Sequence, residues 1–251
     1  MIKWLVLAIS VLCCARGFSA PLNVLVGQNK PPYIRLETVS GYEIELLREV
    51  VRRMGHEAVF VFVPNSRIRT LLDSGNGDIA SLQPNDVVDA EVYFSQPYIR
   101  YQNVLVTLAT DELPITHPAD LSDKLVVAFQ GASKVLGADY RDAVADNPGY
   151  IETVDQKAQV EMLFGGRAQA IVLDRNIFMH HQHTSSASAA VKVHELFSSS
   201  LYRAAFRDPA LQRDFDRALL SVIMDNWYRQ LQQSYFMQQN QQLPNRFYCN
   251  D

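Results

Sequence analysis

The sequence predicts an α/β protein built from two lobes. Short runs rich in β-branched and aromatic residues alternate with segments of helical period, which is typical of βα units. This alternation runs from residue 22 to residue 108 and starts again at residue 124. The pattern breaks at residues 107–114 and 185–200, and the second break contains the small-residue stretch SSASAA. We interpret these breaks as the connections between the lobes.

The first series opens with the predicted strand LNVLVG at 22–27. A helix follows in GYEIELLREVVRRMG, where Ser40 and Glu43 fit the S-x-x-E capping box. Its apolar residues recur at helical spacing at Ile44, Leu47, Val51 and Met54. The strand EAVFVFV (57–63), the short helix SRIRTLLDSG and the strand DIASL (78–82) complete a β-α-β-α-β unit. Such sheets bind ligands at the carboxyl edge of their strands.

The second series begins after NVLVTL (103–108) and the loop TDELPITHPADLSD. Its predicted elements, in order, are the strand KLVVAF (124–129), the segment GASKVLGADYRDAV, the helix DQKAQVEMLFGG, the strand RAQAIVLD (167–174) and the helix RNIFMHHQH. After VKVHELF, the segment from LYRAAF to QQSYF is predicted as one strand and two helices. We expect these C-terminal helices to return to the first lobe.

Residues 1–20 have the layout of a signal peptide. Lys3 precedes the apolar run 4–14, and small residues follow up to Ala20. The run is shorter than the roughly 20 residues that span a bilayer, which disfavours the alternative of a retained anchor. Cys13 and Cys14 would leave with this segment and only Cys249 would remain, so no intramolecular disulfide is expected.

Composition and charge exclude some classes of partner and site. The chain has 23 basic and 27 acidic residues and no basic block, so no nucleic-acid partner is expected. HHQH at 180–183 places its histidines on different faces of one helix, whereas metal ligands must converge. We therefore expect a monomer without a metal or another cofactor.

Seven motifs in order resemble the family 3 extracellular solute-binding proteins, which are periplasmic receptors best known for delivering polar amino acids to ABC importers. They are VGQNKPPY, SGYEIELLREVVRRMG, LDSGNGDIA, YFSQPY, LSDKLVVAFQGASKVL, EMLFGGRAQAIVLD and DNWYRQLQQSYF. The resemblance implies an exported periplasmic protein with a type 2 periplasmic-binding-protein fold, in which two α/β lobes joined by two hinge crossings close over a ligand. With it we place residues 1–20 in the signal peptide, 21–108 and 200–251 in lobe 1, and 109–199 in lobe 2.

The resemblance also implies a binding site, and one part of it is missing. In amino-acid-binding members an Arg lies six residues before the Phe of the FS motif and binds the ligand carboxylate through paired, charge-assisted hydrogen bonds. Phe94 sets the register here, and Val88 occupies that position. Lys30, in a loop where an aromatic usually covers the ligand, and Arg67, after VPNS, are the candidate replacement charges.

The other implied ligand-binding residues are present. Asp174 matches the Asp that receives the ligand's amino group, and Ser133, in Gly131–Ser133, lies in the loop that meets the carboxylate. Ser81 and Gln83 occupy positions that supply hydroxyl and backbone contacts. Each residue also has a structural interpretation: Asp174 and Ser133 as helix caps, and Arg67 as part of a solvated helix face. Glu43 is assigned to its capping box and left outside the site.

Three functions remain open from the sequence. The first is a receptor without catalysis that serves an importer permease or a membrane sensor. The second is an enzyme of the cyclohexadienyl-dehydratase type on the same scaffold, which would need an acid or base facing the ligand, such as Asp174 or Lys30. The third is a degenerate receptor retained as an interaction partner. We favour the first, with an amino-acid-like or amine-containing ligand.

Overall fold

The computed structural model describes residues 20–85, 89, 91–187 and 189–236 as two mixed sheets with packed helices. The predicted signal peptide, apart from Ala20, lies outside the described residues, as do Val88 and Cys249. No helix in the described part of the chain is long and apolar enough to cross a membrane.

The first sheet is formed by both ends of the chain. It contains the strands β1 (Leu22–Val26), β2 (Ala58–Phe62), β3 (Ile79–Pro84), β4 (Tyr93–Phe94), β5 (Ile99–Tyr101) and β11 (Ser200–Phe206). β1 pairs in parallel with β2 and β3, while β11 runs antiparallel to β3, β4 and β5. The helices associated with this half of the chain are α1 (Tyr42–Arg53), α2 (Asn65–Asp73), α7 (Pro209–Ile223) and α8 (Asn226–Phe236).

The second sheet is formed by the middle of the chain. Its strands are β6 (Asn103–Leu108), β7 (Val126–Phe129), β8 (Tyr150–Thr153), β9 (Ala170–Asp174) and β10 (Val191–His194). β7 runs parallel to β8 and β9, and β6 runs antiparallel to β9 and β10. The helices of this segment are α3 (Ala132–Val135), α4 (Ala138–Ala145), α5 (Gln156–Phe164) and α6 (Arg175–Thr184), with 3₁₀ turns at Ala109–Asp111 and Pro118–Leu121.

The chain passes between the sheets twice. It leaves the first sheet at Tyr101 and enters the second at Asn103, and it returns between His194 and Ser200. The predicted two-lobe α/β fold is confirmed. One strand lies on the other side of the expected boundary: β6 pairs in the second sheet, although we had placed residues up to 108 in lobe 1. Strands β4, β5 and β8 are short and were not predicted.

Helix α1 begins differently from the prediction. Its N-cap is Gly41, with φ of 120°, and no side chain caps the first turn. A Cβ on Gly41 would approach the carbonyl oxygen of Tyr33 to 2.3 Å, so the chain needs glycine here. The capping box of Ser40 and Glu43 is therefore wrong. The Ser40 hydroxyl contacts Thr38, and Glu43 points into the core.

Candidate functional site

A cleft of about 250 Å³ lies between the two sheets. The first lobe contributes residues after β1, on α2 and on β3, and the second contributes residues at the carboxyl ends of β7, β8 and β9. This is the edge at which α/β sheets bind ligands. The described polar lining is mainly amide: Gln28, Asn29, Asn65, Asn103, Gln130 and Gln156. The apolar surface comes from three aromatic rings and five aliphatic side chains: Tyr101, Phe129, Tyr202, Ile68, Leu82, Val135, Val154 and Ile177.

Lys30 is the cation among the described residues that line the cleft. Its Nζ lies 4.4 Å from the ring centroid of Tyr101, a cation–π distance. Burial lowers the pKa of Lys30, while the charges of Glu43 and Asp174 act in the opposite direction. The charges of two carboxylates of the protein therefore act on this ammonium.

Glu43 forms a buried floor beneath Tyr101, which lines the cleft. It is fully buried, and its carboxylate accepts hydrogen bonds from the hydroxyls of Tyr98 at 2.6 Å and Tyr101 at 3.4 Å. Burial raises the pKa of Glu43, and Lys30 and the tyrosine hydroxyls offset part of that effect. Glu43 was not among the predicted site residues. The signal was its position three and four residues before the buried Leu46 and Leu47, on the core face of α1.

Tyr98 connects this floor to the wall of the cleft. Its hydroxyl donates to Glu43 and accepts a hydrogen bond at 3.0 Å from the backbone amide of Leu82. Leu82 lines the cleft and has φ of 52°, a left-handed conformation that is costly for a residue with a branched side chain. The buried Glu43–Tyr98 pair therefore fixes the backbone where β3 meets the cleft.

Asp174 lines the cleft and also caps a helix. One carboxylate oxygen accepts hydrogen bonds from the amides of Asn176 at 2.9 Å and Ile177 at 3.2 Å, and from the Tyr33 hydroxyl at 3.1 Å. The other accepts from the amide of Gln102 at 2.9 Å. Burial raises the pKa of Asp174 to about 6, although these hydrogen bonds favour the ionised form. Asp174 therefore both caps α6 and lines the cleft.

Ser133 is bound to another side chain of the protein. Its amide and hydroxyl donate to Glu152 at 2.9 and 2.8 Å, and the amide of Gly131 donates to the same carboxylate at 2.6 Å. Ser133 does not cap α3: the N-cap residue is Gly131, and the first-turn amide is bound by Glu152 instead. Glu152 was not among the predicted site residues, because strand β8 was not predicted.

Ser81 and Gln83 lie behind the cleft surface. Both are buried, and the Nε2 of Gln83 donates to the backbone carbonyl of Ser81 at 2.8 Å. Arg67 is exposed on the first turn of α2 and does not line the cleft. Of the six predicted ligand-binding residues, Lys30 and Asp174 lie in the cleft lining.

Among the described residues, no group of three His, Cys, Asp or Glu side chains is arranged to hold a metal ion. His180 and His181 are ring neighbours on α6, with centroids 5.2 Å apart. The chemistry available in the cleft is therefore that of amide hydrogen bonding, aromatic contact and the Lys30–Glu43–Asp174 charges.

Several solved structures have the same fold. An ancestral arginine-binding protein bound to arginine has a TM-score of 0.70 at 21% identity, with 88% of this chain and 100% of that chain covered. A histidine kinase sensor domain similar to periplasmic binding proteins has a TM-score of 0.70 at 18% identity, covering 86% and 96% of the two chains. The ancestral amino acid-binding protein AncCDT-1, a precursor of cyclohexadienyl dehydratase, has a TM-score of 0.66 at 21% identity, covering 86% and 95%.

Comparison with curated proteins found no match. The model of the bacterial extracellular solute-binding proteins, family 3, matches residues 22–238, which is most of the chain. The two sheets, the two crossings and the cleft between them agree with that match. This chain therefore belongs to the family 3 bacterial extracellular solute-binding proteins.

Proposed function

We propose that the protein is a periplasmic receptor that closes its two lobes over a small polar ligand that is cationic or neutral, and that does not depend on a ligand carboxylate. The observation that carries this proposal is that Lys30 lies over the ring of Tyr101 and shares the cleft lining with Asp174, while the charges of Asp174 and of the buried Glu43 act on it. A cation that carboxylates of the protein already attract is a poor replacement for an arginine clamp. Asp174 and the amide-rich lining instead suit an amine or another polar donor.

Closure of the two lobes is expected because the cleft-lining groups come from both of them. Lys30 and Asn65 belong to the first lobe, whereas Gln130 and Asp174 belong to the second. A ligand that needs contacts from both lobes is satisfied only when they are together, so binding shifts the population toward the closed form. An importer permease or a membrane sensor would then recognise the closed shape. Residues 1–20 would direct export and be removed.

A thermal-shift screen tests the proposal. The mature protein is heated with amines, neutral polar compounds, amino acids, organic acids and short peptides. A ligand that binds only the folded state raises the melting temperature. We expect the largest rise with an amine or a neutral polar compound. The largest rise with an organic acid or a free standard amino acid would contradict the proposal.

A second candidate function is a receptor retained as an interaction partner without a ligand. The observation favouring it is that internal groups engage three of the implied contact positions: Glu152 at Ser133, Gln83 at Ser81 and Tyr33 at Asp174. In that case no compound in the screen raises the melting temperature. For catalysis, the third function considered, Asp174 or Lys30 would supply the acid or base. Recovery of a bound ligand chemically unchanged would argue against it.

A further inference from the structure

We propose that Glu152 is a specificity-determining residue that excludes ligand carboxylates from the second lobe, because its own carboxylate occupies the donors of the Gly131–Ser133 loop. This inference rests on the proposed function, since it concerns which ligands the cleft accepts. Glu152 itself is not among the residues that line the cleft.

The carboxylate of Glu152 is bound by backbone amides and hydroxyls, as a bound anion would be. Its Oε1 accepts hydrogen bonds from the amide of Ser133 at 2.9 Å, from the Ser133 hydroxyl at 2.8 Å and from the Tyr150 hydroxyl at 2.8 Å. Its Oε2 accepts from the amide of Gly131 at 2.6 Å. Backbone amides converging in a turn form a concave site for anions, and hydrogen bonds to a carboxylate are stronger than neutral ones. A side chain of the protein thus satisfies all four donors.

The loop and Glu152 meet because their strands are neighbours in the second sheet. β7 and β8 run in parallel with Ala128 opposite Glu152, so the loop after Phe129 ends beside the Glu152 side chain. Gly131 has φ of 87°, which turns the chain so that its amide faces the carboxylate. Gln130 and Thr153, which precede Gly131 and follow Glu152, line the cleft. The occupied loop therefore borders the ligand space.

The charge of Glu152 is retained at neutral pH. Burial by itself raises the pKa of Glu152, but the hydrogen bonds from Ser133 and Gly131 outweigh it and leave the pKa below its usual value. The described contacts of the carboxylate come from amides and hydroxyls and include no cation, so the negative charge is not cancelled by an ion pair. A ligand carboxylate entering here must either displace Glu152 or lie beside a like charge.

Acetate provides a test that needs no knowledge of the natural ligand. The amide signals of Gly131 and Ser133 are followed by nuclear magnetic resonance while sodium acetate is added at constant ionic strength. We expect no saturable shift in the wild-type protein or in the control variant Glu161→Ala, whose carboxylate lies on α5. In Glu152→Ala, both amides should shift saturably, because acetate replaces the missing carboxylate. Absence of that shift in a Glu152→Ala protein that keeps a cooperative melting transition would overturn the proposal.

Matched ligands provide the second test. The affinities of arginine and of agmatine, which lacks the carboxylate, are measured for the wild type and for Glu152→Ala and Glu152→Gln. We expect the preference for agmatine over arginine to fall by about tenfold or more in Glu152→Ala, which removes the negative charge and frees the loop donors. The preference should fall less in Glu152→Gln, because its amide oxygen still accepts hydrogen bonds from the loop. An unchanged preference would contradict the role of Glu152. If the wild type binds neither compound nor any other in the screen, the proposed function fails, and the acetate titration alone decides the role of Glu152.

Discussion

The backbone amide of Gln102 donates a hydrogen bond to the carboxylate of Asp174 at 2.9 Å, which ties the first hinge crossing to the start of α6. The amide of Arg175 returns a bond of 2.9 Å to the carbonyl of Gln102. The Gln102 side chain reaches the second crossing, where its Nε2 donates to the carbonyl of Phe197 at 2.9 Å. One residue thus connects both crossings to a residue of the cleft.

Replacing Gln102 should loosen the connection between the crossings. Gln102→Ala keeps the backbone bond to Asp174 but removes the side-chain bonds to the carbonyls of Asn103 and Phe197. We expect a loss of about 0.5–1.5 kcal/mol in the free energy of unfolding, measured by urea denaturation. Gln233→Ala, at an exposed position on α8, is the control and should change stability by less than about 0.5 kcal/mol. Equal losses of unfolding free energy in the two variants would show that the side-chain bonding of Gln102 does not stabilise the protein.

Two substitutions of Asp174 separate its structural role from its proposed binding role. Asp174→Ala removes the helix cap and should cost about 0.5–2 kcal/mol of stability, whereas Asn caps helices as well as Asp does. Both variants lose the charge that would face an amine, so both should weaken amine binding about tenfold or more. Stability is measured by urea denaturation and affinity by calorimetry.

A matched control for this pair is Asp208→Ala. Asp208 caps α7 through a bond of 2.7 Å to the amide of Ala210 and is not among the residues lining the cleft. This variant should lose stability but bind the amine as the wild type does. Full amine affinity in a folded Asp174→Asn protein would remove Asp174 from the binding site.

The raised pKa of Asp174 predicts opposite effects of acid on stability and on binding. The folded-state pKa is about 6 and the usual value is 3.8, so the folded protein holds the proton more tightly than the unfolded chain does. The contribution of Asp174 to stability should therefore increase as pH falls from about 6 to about 4 and be constant above pH 6. Amine affinity should decrease over the same range, because the neutral carboxyl no longer attracts the ammonium.

Other carboxylates also have shifted pKa values, raised for Glu43 and lowered for Glu152, so the comparison is made against Asp174→Asn. The stability difference between wild type and variant isolates the contribution of Asp174. A difference that does not vary between pH 4 and pH 6 would contradict the assigned pKa.

The sequence was sufficient to predict the general architecture. It was not sufficient to predict that a side chain of the protein binds the Gly131–Ser133 loop. Strands such as Leu22–Val26 and helices such as Tyr42–Arg53 follow from local periodicity, and the motifs in order led to the family. Strand Tyr150–Thr153 was missed because its four residues form no buried apolar run, unlike those of the equally short Val126–Phe129. Glu152 was missed with it, and its partners at Gly131 and Ser133 are about twenty residues away in the chain.

Glu43 illustrates a different limit. A local pattern, S-x-x-E before a helix, explained it fully, yet the tertiary structure uses the same residue as a buried acceptor for Tyr98. Local capping rules do not reveal that Gly41 is needed for a close approach to Tyr33. The positions of Lys30 and Asp174 in the cleft lining agree with the alignment of motifs, but the electrostatic effect of Glu43 on Lys30 depends on packing.

The most direct test of the central claim is calorimetry of amines against their parent amino acids. Agmatine and arginine, histamine and histidine, and cadaverine and lysine are titrated into the wild type, Lys30→Ala and Arg67→Ala. We predict that the preferred amine binds about tenfold or more tightly than its amino acid, and that Arg67→Ala leaves both affinities unchanged, because Arg67 lies outside the cleft lining. Glutamine and glutamate are included as further carboxylate ligands. Submicromolar binding of arginine, histidine, glutamine or glutamate, undiminished in Lys30→Ala and in Arg67→Ala, would contradict the account.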